Sequence, residues 1–141
     1  MKTLQLVNGD LQIGPGGYVM IEGSDKVIQD LGVMVREAMG VDRFHPRWGS
    51  ILDDFIGLPI GPETHMRVRS EIYRLIQNYI VMQTRAIEMD MNAGRKPRYR
   101  PEEIVVDVAD VKIQQFYDRL NVKVTVQTSD GETHTILRTV T

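Results

Sequence analysis

Residues 120–140 read LNVKVTVQTSDGETHTILRTV. Leu120, Val122, Val124 and Val126 alternate strictly with polar residues, which is the period of a half-buried strand. Ser129-Asp130-Gly131 interrupts the pattern as a turn, and Thr133 to Val140 resumes it with residues that favour strands. Working backwards, Val106 and Val108 alternate, then Val111 and Ile113 do so on a shifted phase. The shift at Ala109-Asp110 predicts a bulge. The segment 102–141 is therefore expected to be a three-stranded antiparallel meander, with strand 133–140 at one edge.

Upstream the period changes from two to that of a helix. Val27, Leu31, Met34/Val35 and Ala38 predict a helix over 24–39, opened by Ser24 and stopped by Gly40. Met66, Ile72, Leu75/Ile76, Tyr79/Ile80 and Ile87 predict a long helix over 63–90, with a possible break near Gln77-Asn78. Between them Ser50 is placed to cap a short helix ending at Gly57, with Asp53 in a capping-box position. Ahead of all this, Asn8-Gly9 lies between Leu4/Leu6 and Leu11/Ile13, a short hairpin signal. No internal repeat is evident.

Helices followed by strands make an α+β order rather than a βαβ one. The expected organisation is an N-terminal extended arm or hairpin over 1–23, then one domain over 24–141. That domain has two to four helices within 24–91, a basic linker over 92–101 and the C-terminal meander.

The whole chain has 141 residues and a formal net charge of -2, which excludes a generally basic, nucleic-acid-coating protein. It has no cysteine, so thiolate zinc sites and cysteine nucleophiles are excluded. No window approaches the ~20 apolar residues of a membrane span, and the first residues do not read as a signal peptide.

Four constellations could carry chemistry. Asp53, Asp54, Glu63 and Glu71 could supply a carboxylate pair for sugar-bond hydrolysis, which needs one acid kept protonated. No spacing fixes such a pair, and Asp53 and Glu63 suit the first turns of helices. His45, His65 and His134 are scattered and show no metal-ligand spacing, so no metal or cofactor is expected. Arg95, Lys96, Arg98 and Arg100, with Tyr99 among them, form either a solvated linker or a docking patch; nucleic acid is the least favoured partner. Phe44-His45-Pro46-Arg47-Trp48-Gly49 gathers the only Trp and one of three Phe, and reads as an apolar plug between helices. Arg47 is then free to meet carboxylates or carbonyls.

At this loop the chain resembles a known family. Arg43-Phe44-His45-Pro46-Arg47-Trp48-Gly49-Ser50 and Ile51 to Gly57 follow a capped helix, and a long helix and a Val-rich meander with Asp130-Gly131 complete the order. Over roughly 20–140 this is similar to the baseplate wedge family of contractile phage tails, the "gene-25-like lysozyme" family. It is also similar to sheath-initiating baseplate subunits of type VI secretion systems and phage-tail-like bacteriocins. The resemblance implies a structural, non-enzymatic part of a virion tail baseplate, assembled in the host cytoplasm with six copies per ring. Its partners would be other wedge and hub proteins and the tail sheath subunit, whose extended arms add strands to the sheet; no nucleic acid, membrane or cofactor is implied. The alternative is a tail-associated peptidoglycan hydrolase.

Many members of that family carry Glu-Pro-Arg before the first strand of the meander, where it clamps a neighbour. Here the stretch reads Tyr99-Arg100-Pro101-Glu102-Glu103-Ile104, with the charges around Pro101 reversed. The residues expected to bind partners are Arg100, Pro101 and Glu102 at that stretch, Arg47 and Trp48 in the loop, and Thr133, Thr135 and Arg138 in the last strand. Deleting 133–141 is expected to leave the helices folded.

Overall fold

The computed structural model describes residues 1–140; Thr141, the end of the expected meander, lies outside the described residues. The chain forms an α+β structure with two helices, α1 (Ser24–Arg36) and α2 (Pro62–Asn92), and a three-stranded antiparallel sheet. The strands of that sheet are β7 (Val105–Phe116), β8 (Arg119–Thr128) and β9 (Thr133–Val140), in the order β7-β8-β9. Short 3-10 turns occupy Leu52–Phe55 and Pro101–Glu103.

Alternation in β8 builds the core. Leu120, Val122, Val124 and Val126 are buried, joined by Val111 of β7 and by Ile136 and Val140 of β9. The helices cover this apolar face, α1 lying against β9 and α2 against β7. Leu31 and Met34 of α1 and Ile72, Leu75, Ile76 and Tyr79 of α2 complete the cluster. Strand β7 carries the expected irregularity between Val108 and Asp110, and a second one between Val105 and Asp107. The second one turns Val105 into the core and Val106 outward, the reverse of the phase read from Val106/Val108.

The first helix ends three residues earlier than its periodicity suggests. After Arg36 the backbone turns extended at Glu37. There it meets the segment before the first 3-10 turn: Ser50 N donates to Glu37 O, Met39 N donates to Ser50 O, and Ala38 and Ser50 form a parallel bridge. Gly49 permits this approach. Its φ is +90°, and a Cβ there would lie 2.7 Å from Glu37 O. Ser50 stands one residue before the cap position of the 3-10 turn, which Ile51 occupies, and Leu52 N reaches the Ser50 hydroxyl only at 3.4 Å. That hydroxyl donates to Val35 O at 2.8 Å, satisfying a carbonyl at the end of α1. Ser24 opens α1 as expected; ahead of it Gly23 holds φ +69° and its N–H donates to Glu103.

Helix α2 is one unbroken element of 31 residues, about 46 Å at 1.5 Å rise per residue. Pro62 opens it, where a missing N–H is harmless. The possible break near Gln77-Asn78 is absent because Ile76, Tyr79 and Gln83 continue one buried stripe onto β7 and the Glu103 turn.

The N-terminal segment contains a repeat of period seven that was not evident from residue types. Residues 3–7 (TLQLV), 10–14 (DLQIG) and 17–21 (GYVMI) are joined by Asn8-Gly9 and Pro15-Gly16. Each is split into two short strands: β1 (Thr3–Leu4) and β2 (Leu6–Val7), β3 (Asp10–Leu11) and β4 (Ile13–Gly14), β5 (Gly17–Tyr18) and β6 (Met20–Ile21). They pair around a triangle as β2-β3, β4-β5 and β6-β1. At the centre Gln5 N donates to Val19 O, Gln12 N to Gln5 O and Val19 N to Gln12 O, at 2.8, 3.0 and 3.0 Å. Asn8 and Gly9 both hold positive φ at the first corner, as a type I′ turn requires.

Candidate functional site

Neither edge strand of the sheet, β7 or β9, pairs with a further described strand. Strand β9 pairs only with β8. At the start of that ladder Thr128 N donates to Glu132 O at 3.0 Å. Antiparallel pairs alternate between bonded and non-bonded. Counting along the register, the backbones of His134, Ile136 and Arg138 bond to β8, and those of Thr133, Thr135, Leu137 and Thr139 face outward. A groove of about 860 Å³ runs beside this edge. It is lined by Thr135 to Leu137, by Ile28 and Val33 of α1, and by Leu6 with the Asn8-Gly9 corner. Free N–H and C=O groups beside an apolar groove can accept one more extended strand.

Thr133 and Thr135 stand at this edge, as the sequence suggests. Arg138 does not. Its backbone is turned to β8, and its guanidinium donates to Asp53 at 2.6 Å. The strand alternation that presents Thr135 outward sends Arg138 the other way.

Arg47 and Trp48 lie elsewhere, where α1 gives way to the loop. Trp48 is the plug: its indole donates to Glu37 at 2.7 Å and its ring sits 6.4 Å from that of Tyr79, tilted by 50°. Phe44, grouped with it in the sequence reading, is 90% exposed. The loop around it is nevertheless tied down. Asp42 accepts from Phe44 N at 2.8 Å and contacts His45 at 2.9 Å, and His45 holds the Asp42 carboxyl below its ordinary range. Arg47 itself is exposed, while its carbonyl accepts from Arg74 and Asn78.

Arg100, Pro101 and Glu102 form a third location, at the join between the arm and the meander. Arg100 pairs with Glu22 at 3.3 Å and with Glu102 at 3.8 Å. Pro101 opens the 3-10 turn, and its carbonyl accepts from the Ser129 hydroxyl at 2.8 Å. Among the described residues, Arg100 and Glu102 are the only two of the eight expected partner-binding residues joined by a hydrogen bond or ion pair.

The basic run is not a free patch. Arg98 grips Asp90 with two guanidinium bonds of 2.8 Å, and Arg95 approaches the same carboxylate at 3.3 Å. The Arg98 bonds hold Asp90 down at about 2, against the opposing effect of burial. Tyr99 packs under Lys26, whose ammonium lies 5.4 Å from the ring centre and is bonded to Asp30.

Three of the four carboxylates considered for hydrolysis are engaged as well, while Asp54 is exposed. Asp53 is held by Arg138, Glu63 by Arg67 at 2.8 Å, and Glu71 by Arg74 through two bonds of 2.5 and 2.8 Å. Glu71 also accepts from Ile51 N at 3.0 Å, so this pair fastens the loop to α2. Glu63 and Glu71 line one shallow groove together with Arg67 and Arg74.

Sequence reading missed Glu103. Its side chain is fully buried and accepts from the Gly23 and Arg100 amides at 2.9 and 3.0 Å and from the Met1 ammonium at 2.8 Å. Burial pushes this carboxyl up, but the donors outweigh it and the net shift is downward. Gln83 was missed too. It donates to Glu103 O at 2.6 Å and accepts from Val105 N at 3.0 Å, tying α2 to the start of β7. The available signal was Pro101 followed two residues later by Glu103, a Pro at the first turn position with an acid at the third.

No family model matches this chain, and no curated protein matches it.

Proposed function

We propose that the chain is a structural baseplate wedge component of a contractile phage tail or phage-tail-like particle. It joins wedge and hub proteins to the first sheath ring, in six copies per baseplate ring, and is assembled in the host cytoplasm into the virion baseplate. The open edge of β9 carries this reading, because four outward-facing backbones beside a groove suit the addition of an extended arm from the sheath subunit. The Arg-Phe-His-Pro-Arg-Trp-Gly-Ser loop, fastened between α1 and α2, supports it through the family resemblance. Ion pairing of Asp53, Glu63 and Glu71 favours a structural role over a hydrolytic one, since an acid catalyst is kept protonated and not salt-bridged. Arg100, Pro101 and Glu102, on the far side of the sheet join, are the second proposed contact, with a neighbouring wedge subunit.

Removing 133–140 is too blunt a test, because Ile136 and Val140 are core residues. Proline at an outward-facing position removes one free donor and leaves the β8–β9 ladder intact. Thr135→Pro and Leu137→Pro are expected to give folded protein that enters baseplates on which no sheath forms, read by electron microscopy of the particles. Full-length sheath on baseplates built with both variants would overturn the proposal.

A further inference from the structure

The triangular N-terminal plate presents one apolar side. Across its three corners the facing pairs are Leu6↔Leu11, Ile13↔Tyr18 and Leu4↔Met20. Facing residues share a side of a sheet, and so do residues two apart on a strand. These six side chains thus occupy the same two places in each seven-residue repeat. Five of them remain uncovered: Leu4 is 38% exposed, Leu11 46%, Met20 48%, Tyr18 60% and Ile13 67%, while Leu6 is half-buried beside the β9 groove. A plate of this kind has no interior of its own in which to hide them.

We infer that this plate is a self-association surface, on which two copies of the chain pack face to face. Three observations select a second copy as the occupant. The first is area. Five large apolar side chains about half exposed amount to on the order of 500 Å², the scale of a patch that marks an interaction site. Two such plates together remove about 1,000 Å² from water, which reaches the lower bound of a specific interface. The second is charge. Between Thr3 and Ile21 the only charged side chain is Asp10, one place along the strand from Leu11 and so on the other side. In a two-fold contact the same patch faces itself, which a neutral plate tolerates and one carrying charge of a single sign does not. The third is symmetry. The three corners repeat one backbone pairing and each presents an apolar pair, so a two-fold contact sets apolar pair against apolar pair at whichever corner it centres.

The inference stands apart from the wedge reading and uses the purified full chain. Sedimentation velocity over a range from low micromolar to submillimolar is expected to show a reversible monomer–dimer equilibrium. Ile13→Asp and Tyr18→Asp should each weaken it at least tenfold, whereas Phe44→Asp, at an exposed aromatic outside the plate, should not. The chain has no native cysteine, so single cysteines give a second readout that does not perturb the plate with charge. With a short bis-maleimide, Tyr18→Cys is expected to cross-link into dimers and Met89→Cys, 65% exposed at the far end of α2, is not. A wild type that stays monomeric throughout the range overturns the inference. So does a dimer that both Asp variants leave unchanged, or cross-linking equal at positions 18 and 89. If an Asp variant loses amide protection at Gln5, Gln12 and Val19, the plate has melted and the cysteine pair alone decides.

Discussion

Arg138 and Asp53 lie 85 positions apart and meet at 2.6 Å, pinning the last strand to the 3-10 turn between the helices. The contact redefines both residues, one considered for partner binding and the other for catalysis. It also shields the arginine, whose Nε is buried without a partner.

Asp53→Ala should therefore destabilise the fold by about 1 kcal/mol, at the upper end for a partly exposed ion pair. A double-mutant cycle with Arg138→Leu, read by urea unfolding, isolates the coupling. Additive effects would show the pair to be energetically idle. Peptidoglycan release is expected to be absent from wild type and Asp53→Asn alike.

Acid should loosen the junction between α2 and the basic run. Asp90 sits at about 2 in the folded chain, below the ~3.9 of an unfolded aspartate. A lowered folded value means stability present above pH ~4 and lost as pH falls towards 2, because the unfolded state takes up the proton first. Urea midpoints measured from pH 5 to pH 2 should fall in that window. Asp90→Asn should start lower and fall less steeply; a parallel decline in both would assign the acid sensitivity to other carboxylates, Glu103 first among them.

Gln83 makes the most demanding buried polar contacts. Replacing it with Leu keeps the volume but leaves Glu103 O and Val105 N without partners. Each unsatisfied buried group costs about 1–3 kcal/mol, so Gln83→Leu should lose about 3 kcal/mol by chemical denaturation. Phe44→Ser, at a side chain in open solvent, should stay within about 0.5 kcal/mol of wild type. If the two variants were equally stable, the α2–β7 tie would be of no consequence.

These contrasts mark what residue patterns can carry. The stripe of α2 and the alternation of β8 were legible because a single period sorts core from solvent at every position. The threefold plate was not, because Gln5 and Gln12 at its centre are answered in the third repeat by Val19, and Thr3, Asp10 and Gly17 open the three repeats with unlike residues although the central backbones bond alike. Nor could the sequence show that Arg98 belongs to Asp90 or Arg138 to Asp53. Surface charges look alike until the chain is folded, and three expected partner-binding places turn out to lie on separate parts of the molecule.

The end of α1 is the clearest case of tertiary override, and it yields the sharpest test. Periodicity extends the helix through Ala38, but the 48–50 segment reaches in and takes the Glu37 and Met39 backbone into a bridge. Only glycine at position 49 allows this, since a Cβ would fall 2.7–2.8 Å from Glu37 and Ala38 backbone atoms that cannot yield. Gly57 holds a similar positive φ of 78° with nothing within 4 Å. Gly57→Ala should then cost about 1 kcal/mol, the strain of a left-handed residue alone. Gly49→Ala adds overlap to that strain and should cost about 3 kcal/mol. It should also release Trp48 from Glu37, seen as a red shift in the fluorescence of the single tryptophan. Equal losses at the two glycines, with no spectral change, would mean that the bridge does not set the end of the helix.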